Sequence, residues 1–595
     1  MIALHAGHRT LLTRFPRGLF GHRLWILAAL LAVASIGCQG TTTDQPAGTQ
    51  NKGERTAADA NQADLSTTAK AESTEVARAE FPAVDEATAG TVEQESWDVI
   101  TMQGVKVGYG HTVVKRIGEG ADSQIATHSE SHLSLARAGQ AGQQTLVVDS
   151  LQHADGRLIS VRSEIASGAS STVTKGQVDG DFMHFETTTT GKTLATRLPW
   201  QDDWSGYFAV EQSLRNNPLK AGETRQLKEL QPGYNLLADV TLRAVEFEAT
   251  EMRGGEEQLL RIESVTNLAG TPIASLLWTD EQGNLRKTSV PALQQTTYRT
   301  TREDALREST DKSFDILNAT VIRLNRRIEQ PLLAKQMTYR VESTTVDPAT
   351  IFVPSPRQQI ERVDEQTALL TVNNTVGSVA GGSQSGYSAA NAANDDRPEP
   401  ADSRPNNLVQ SDDPGVMQMA TSVAADQTDP ESIAIALENQ VHRSITSKNF
   451  SQAFSTAADV AKSLEGDCTE HAVLLAALCR ARQIPARVAI GLVYFEQQGE
   501  PSFAYHMWTE AWTGERWLSL DATIGRGGIG VGHLKLTSSS LEGSDGYAAF
   551  LPVFRVMGQL RITIADEAGT AEKFGRPAHS ASEVMATRCG WGLRC

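Results

Sequence analysis

The sequence predicts an α+β protein in which a β-rich antiparallel sheet or half-barrel over residues 97–375 precedes a smaller α+β domain over residues 412–566. Three observations predict it. From Trp97 to Thr375, short alternating runs such as Leu158-Ile159-Ser160-Val161 and Leu259-Leu260-Arg261-Ile262 are separated by turn-rich pieces such as Asp179-Gly180, and long helical periodicity is scarce. The run Val473-Leu474-Leu475-Ala476-Ala477-Leu478-Cys479 is apolar nearly all round, the pattern of a buried helix. Arg487-Val488-Ala489-Ile490-Gly491-Leu492-Val493-Tyr494-Phe495 then has the β-branched and aromatic composition of a strand buried on both faces.

Residues 1–38 have the features of a secretion signal. Arg9, Arg14, Arg17 and Arg23 stand without an acid, and Leu24 to Ala34 is apolar but too short to span a bilayer comfortably. Ser35-Ile36-Gly37-Cys38 resembles a bacterial lipobox, which implies lipidation of Cys38 and a membrane partner reached through acyl chains. An ordinary secretory signal or a short uncleaved anchor is the alternative. The expected location is the bacterial cell envelope, periplasmic or at the outer surface.

Residues 39–96 carry eleven acidic against four basic side chains and almost no aromatics. They cannot bury enough apolar surface to order themselves and read as a tether. The chain has 71 acids, 54 bases and a net charge of −17; removing residues 1–38 takes away four positive charges and leaves −21. Such a balance disfavours nucleic acid as a partner.

Within residues 97–375, the charged stretch Arg302-Glu303-Asp304-Ala305 is expected to be helical and to divide two subdomains. The region loosely resembles the half-barrels of envelope lipoprotein carriers, and substrate presentation, partner binding and spacing from the membrane all stay open for it. Residues 376–411, rich in Gly, Ser, Ala and Asn, read as a linker. Asp413-Pro414 then starts a helix, and Ile433, Leu437 and Val441 mark a second, amphipathic one.

The chemistry-bearing segment is Glu465-Gly466-Asp467-Cys468-Thr469-Glu470-His471. Asp467 reads as an N-cap with Glu470 as its capping-box partner, which puts Cys468 at the first helical position. There, unpaired backbone N–H groups and the macrodipole favour a thiolate. Downstream, Tyr505 to Trp512 and Trp517 to Asp521 form a hairpin around Thr513-Gly514. A two-residue loop puts His506 directly opposite Asp521; a four-residue loop, Thr513 to Arg516, makes them diagonal neighbours on one face. By parity Trp508 and Glu510 share that face, as cleft-lining candidates or as packing beneath it.

Gly466-Asp467-Cys468, His506 followed by Trp508 and Glu510, and Asp521 followed by Thr523 stand in the order found in the transglutaminase-like superfamily. From about Asp412 to Asp566, roughly a quarter of the chain, the sequence resembles that family. The resemblance implies a papain-like α+β domain and a Cys468-His506-Asp521 triad. It implies thiol-dependent acyl transfer at amide bonds: peptidase or amidase hydrolysis of an envelope protein or peptide, or cross-linking of a glutamine to an amine. A non-catalytic envelope binding or scaffold protein is the contrasting class. No amine site or calcium loop is marked, which favours hydrolysis.

No cofactor is expected. Paired metal-ligand spacings such as Cys-x-x-Cys are missing, which argues against a zinc site. His471 reads as structural and Cys479 as core filler, roughly 16 Å from Cys468 along the helix and unable to bond to it. Cys589 and Cys595, in an irregular tail over residues 567–595, are a possible disulfide. Oligomeric state is not legible.

Overall fold

The computed structural model describes residues 89–137, 139–168, 170–308, 314–374, 396–447, 455–497, 499–542 and 548–565. Cys38, Cys589 and Cys595, together with the expected signal and tail, lie outside the described residues. Among the described residues no helix is long and apolar enough to cross a membrane.

The chain is mixed α+β, with a large antiparallel sheet ahead of a helix-and-sheet domain. Fourteen strands form one continuous sheet. Eight run as a meander from Thr91–Met102 to Lys192–Pro199; the other six start at Thr224–Gln231 and return, so that Gln295–Thr300 pairs with Thr91–Met102. Alternation explains the layering: in Leu158–Ser167, Leu158, Ser160, Ser163, Ile165 and Ser167 are among the buried residues, while Ile159, Arg162, Glu164 and Ala166 are only partly covered. The first strand begins at Thr91, ahead of the Trp97 that composition suggests. Its exposed opening residues Thr91, Val92 and Glu95 are held by the ladder to Val113–Arg116 rather than by burial.

The helix expected at Arg302 is present as Arg302–Leu306, capped by the Thr301 hydroxyl, and it follows directly on the last strand of the large sheet. Beyond it, Gln336–Glu342, Gln358–Arg362 and Thr367–Asn373 form a separate small sheet that also takes Arg561–Ile564 from the far end of the chain. The stretch 396–411, which composition assigns to a linker, is docked: Asp396 pairs with Arg487, and Asn406 donates to the Ser540 carbonyl. Polar composition hides this because the docking groups are themselves polar.

Four helices lead up to the site, Pro414–Thr421, Pro430–Ser444, Ala457–Ser463 and Cys468–Ala481. The last, the Cys468 helix, is buried from Cys468 through Arg480. Fully burying a leucine side chain is worth about 1.5–3 kcal/mol, so Leu474, Leu475 and Leu478 anchor it strongly. Arg480 ends the buried run by donating to three backbone carbonyls, those of Ala486, Arg404 and Ser540. The helix packs on a sheet whose central pair is Ala486–Gln497 and the His506 strand, Glu500–Trp512. Ile322–Arg323 and Trp517–Leu520 also pair with the His506 strand, and His533–Ser539 lies beyond Ala486–Gln497.

Candidate active site

Gly466 explains why the run before the cysteine needs a glycine. Its φ is +149°, and a Cβ there would sit 2.3 Å from the Cβ of Glu470. The turn lets Glu470 fold back under the helix start, where its carboxylate accepts from the backbone N–H of Asp467 and of Ser455, each at 2.9 Å. Asp467 Oδ1 in turn accepts from the N–H and hydroxyl of Thr469 at 2.8 and 2.9 Å. The expected capping box is therefore formed, with Cys468 as the first helical residue. His471 is occupied by the Asp467 carbonyl at 2.5 Å, a structural role.

The hairpin adopts the four-residue loop: Thr509 pairs with Leu520 and Trp512 with Trp517. His506 and Asp521 are diagonal neighbours, and His506 Nε2 is 2.8 Å from Asp521 Oδ2. Cys468 is close enough to the same imidazole for each group to shift the other's ionisation. The structure thus brings the three sequence-predicted residues together, and all three are buried.

All three groups carry shifted ionisation. Burial opposes charge on His506, but the Asp521 carboxylate and then the Cys468 sulfur outweigh it and push its pKa up to about 10. For Cys468, burial is the largest influence and raises the thiol pKa; the Asp467 carboxylate adds to this, while His506 and Arg137 pull the other way. The helix start favours a thiolate at Cys468, while desolvation and the neighbouring Asp467 carboxylate work against it in this buried site. Cys479, in the apolar helix interior, is pushed up to about 12 by burial, as suits core filler.

Trp508 and Glu510 do lie on the His506 face, but neither lines an open cleft. Trp508 is buried against Ala489 and Ile529, the latter on the loop that leads from Asp521 to His533. Gly491, paired with His506, leaves room for the Trp508 ring: a Cβ there would lie 2.9 Å from it and 2.0 Å from the Leu534 carbonyl oxygen. Glu510 is a buried structural anion, 2.7 Å from Lys535 Nζ and 2.8 Å from Arg487 Nε. Parity places a side chain on a face; it does not say what covers that face.

Three residues escape sequence reasoning. His533 Nε2 is 3.0 Å from Asp521 Oδ2, so one carboxylate oxygen faces two imidazoles. Burial chiefly lowers the His533 pKa, to about 4, so it is neutral near pH 7 and donates its Nε2 proton to Asp521. Glu438, from the amphipathic helix, accepts from the Asp521 N–H at 3.0 Å and the Gly527 N–H at 2.6 Å and so holds the Asp521 backbone. Arg137, from the large sheet, pairs with Asp467. Each acts across a long stretch of sequence, and no spacing motif marks any of them.

His506, Asp521 and His533 are close enough together to be considered as metal ligands. Their 2.8 and 3.0 Å separations are those of N–H donors on one oxygen. Ligand atoms about 2.0–2.1 Å from a tetrahedral zinc stand roughly 3.3 Å apart. The donor set fits a hydrogen-bonded carboxylate better than a cation site.

Burial and then the Asp521 charge push the Glu438 pKa up to about 8 against the backbone N–H donors of Gly527, Asp521 and Arg526. The sign follows: between about pH 4.3 and 8 the folded state binds a proton that the unfolded state has released, so this carboxyl's contribution to stability falls as pH rises. Urea unfolding at pH 5 and at pH 8 is expected to show wild type losing stability relative to Glu438→Gln over that interval. A constant difference between the two proteins would refute the assignment.

Residues 417–522 match the family model of the transglutaminase-like superfamily, so the chain carries a domain of that superfamily there. Among solved structures, it is similar to a candidate cysteine protease from Cytophaga hutchinsonii, at 17% identity over 38% of this chain and 86% of that one, TM-score 0.25. It is also similar to a candidate protease from Parabacteroides distasonis, at 12% identity over 63% of this chain and 68% of that one, TM-score 0.18. A DUF1089 family protein from Pseudomonas aeruginosa matches at 14% identity over 29% and 86%, TM-score 0.18. At such scores these likenesses carry no argument about the reaction. No curated protein matches. The transglutaminase-like domain supports, in general terms, a thiol-dependent hydrolase or acyltransferase.

Proposed function

We propose that this protein hydrolyses amide bonds in a protein or peptide of the bacterial cell envelope, working from a membrane surface to which acyl chains on Cys38 hold it. The observation that carries the proposal is the buried relay in which Asp521 orients His506 at 2.8 Å and the Cys468 sulfur acts on the same imidazole, raising its pKa. Cys468 Sγ attacks the amide carbonyl carbon, and its proton resides on His506. The imidazolium gives that proton to the leaving nitrogen as the C–N bond breaks, leaving a thioester. Water then attacks the thioester carbon, His506 takes the water proton, and the carboxylic acid leaves as the thiol is restored. The backbone N–H at the helix start supports the oxyanion.

Hydrolysis is favoured over cross-linking because every residue of the relay is buried and the acids beside the thiol are already engaged, Asp467 by Arg137 and Thr469, and Glu470 by the N–H groups of Asp467 and Ser455. A glutamine peptide incubated with the full chain is expected to release ammonia at a rate unaffected by a primary amine. Cys468→Ala should lower that rate by at least 10³-fold. Amine incorporation in place of hydrolysis would make the protein a cross-linker; unchanged turnover in Cys468→Ala would remove the thiol mechanism.

A further inference from the structure

Among the residues gathered at the thiol, one comes from the large sheet, far away in the sequence. Arg137 ends the strand Gln124–Arg137 of the large sheet, yet its Nη1 is 2.5 Å from Asp467 Oδ2, with side chains 4% and 0% exposed. Burying a guanidinium costs several kcal/mol unless it meets a well-placed anion, so a strand-end arginine that had no task here would stay in water. The strand end is held in place: the Ala136 N–H donates to the Phe314 carbonyl at 2.8 Å. The short helix that follows, Ile316–Thr320, packs against both this strand and the His506 strand.

We infer that Arg137 is a positioning residue of the thiol site: it pins the Asp467 carboxylate and offsets its charge beside Cys468, so that the large sheet and the transglutaminase-like domain build one site together. The inference rests on reading Cys468 as the nucleophile. The Asp467 carboxylate is divided between two tasks. Oδ1 caps the helix through Thr469, and Oδ2 faces Arg137. Without the guanidinium, an uncompensated anion would stand next to the sulfur, and forming a thiolate there would be harder. The two charges act on Cys468 in opposite directions, Asp467 raising its pKa and Arg137 lowering it. The remaining groups around the thiol are Glu470 and His471 on its own helix, and His506 with Asp521 and His533 behind it.

The test is the pH profile of chloroacetamide alkylation of the full chain, read at Cys468 by peptide mass. The midpoint is used rather than the rate, because a variant that merely loosens the cover changes access at every pH. Arg137→Gln is expected to raise the midpoint by about one pH unit, and Arg137→Lys, which keeps the charge, to hold it within about 0.3 unit. A folded Arg137→Gln protein, judged by near-UV circular dichroism, with the wild-type midpoint would overturn the inference. If Arg137→Gln does not fold, Asp467→Asn decides: its midpoint should fall below wild type, and an unchanged or higher one overturns the inference. The thiol mechanism itself fails on a different result, undiminished amide turnover in Cys468→Ala.

Discussion

Replacing Asp521 with Asn is expected to reduce amide turnover by about 10³–10⁴-fold while the protein still folds. The carboxylate is buried, its Oδ2 faces His506 and His533, and its Oδ1 accepts from the N–H and hydroxyl of Thr523 at 2.9 and 2.6 Å. Burial alone would raise its pKa, but the two imidazoles, His506 foremost, hold it well below the ordinary carboxylate range. An amide in its place offers one oxygen and one NH2 group, so either both imidazoles or the Thr523 N–H and hydroxyl would face a donor, and the side chain or its partners would have to turn. It also removes the anion that keeps His506 protonated.

The effect on stability has a defined pH window. The His506 pKa is raised, so its contribution is complete below its unfolded value near 6.5 and is lost as pH rises through about 10. Asp521 is lowered, so its contribution is complete above its unfolded value near 3.9 and is lost on acidification. The difference between wild type and Asp521→Asn in urea unfolding should therefore be largest between about pH 4 and 6.5 and shrink toward pH 10. Turnover within tenfold of wild type would show that Asp521 does not orient the base.

The largest loss of stability is expected from Lys535→Met, about 3–5 kcal/mol. Lys535 Nζ lies 2.8 and 2.7 Å from the two oxygens of Glu510, and Arg487 reaches the same carboxylate at 2.8 Å while also pairing with Asp396 at 2.6 and 2.9 Å. Burial would raise the Glu510 pKa, yet Lys535 and Arg487 outweigh it and hold the group charged. Taking away the lysine leaves a desolvated anion with half its compensation. Removing both members together, in Lys535→Met with Glu510→Leu, should cost less than the sum of the single changes, because neither charge is then stranded. Additive losses in chemical unfolding would show that the pair is not coupled.

Much of the Cys468 region was legible because its determinants are short-range. Asp467 and Glu470 stand three residues apart and Cys468 follows the cap, so helix start and thiol position follow from local hydrogen-bonding rules. The face shared by His506, Trp508 and Glu510 follows from the two-residue period of a strand. The hairpin loop was legible only to two alternatives, and the ladder Thr509 to Leu520 chooses between them. For Trp508 and Glu510 the strand period leaves two options, cleft lining or packing beneath the face, because their cover comes from Ile529, Lys535 and Arg487, which lie on other elements.

By itself, then, the sequence determined the α+β class, the capped helix with Cys468 at its head, and the strand and hairpin that carry His506 and Asp521. Those are matters of capping, periodicity and turn length, all settled within a few residues. Only the tertiary structure decided the electrostatics: that the thiol is buried and its pKa raised, that Asp521 serves two imidazoles, and that Glu438 and Arg137 reach the site from distant parts of the chain. Desolvation and charge pairing depend on which groups exclude water from one another, and that is a property of the packed fold rather than of any local stretch.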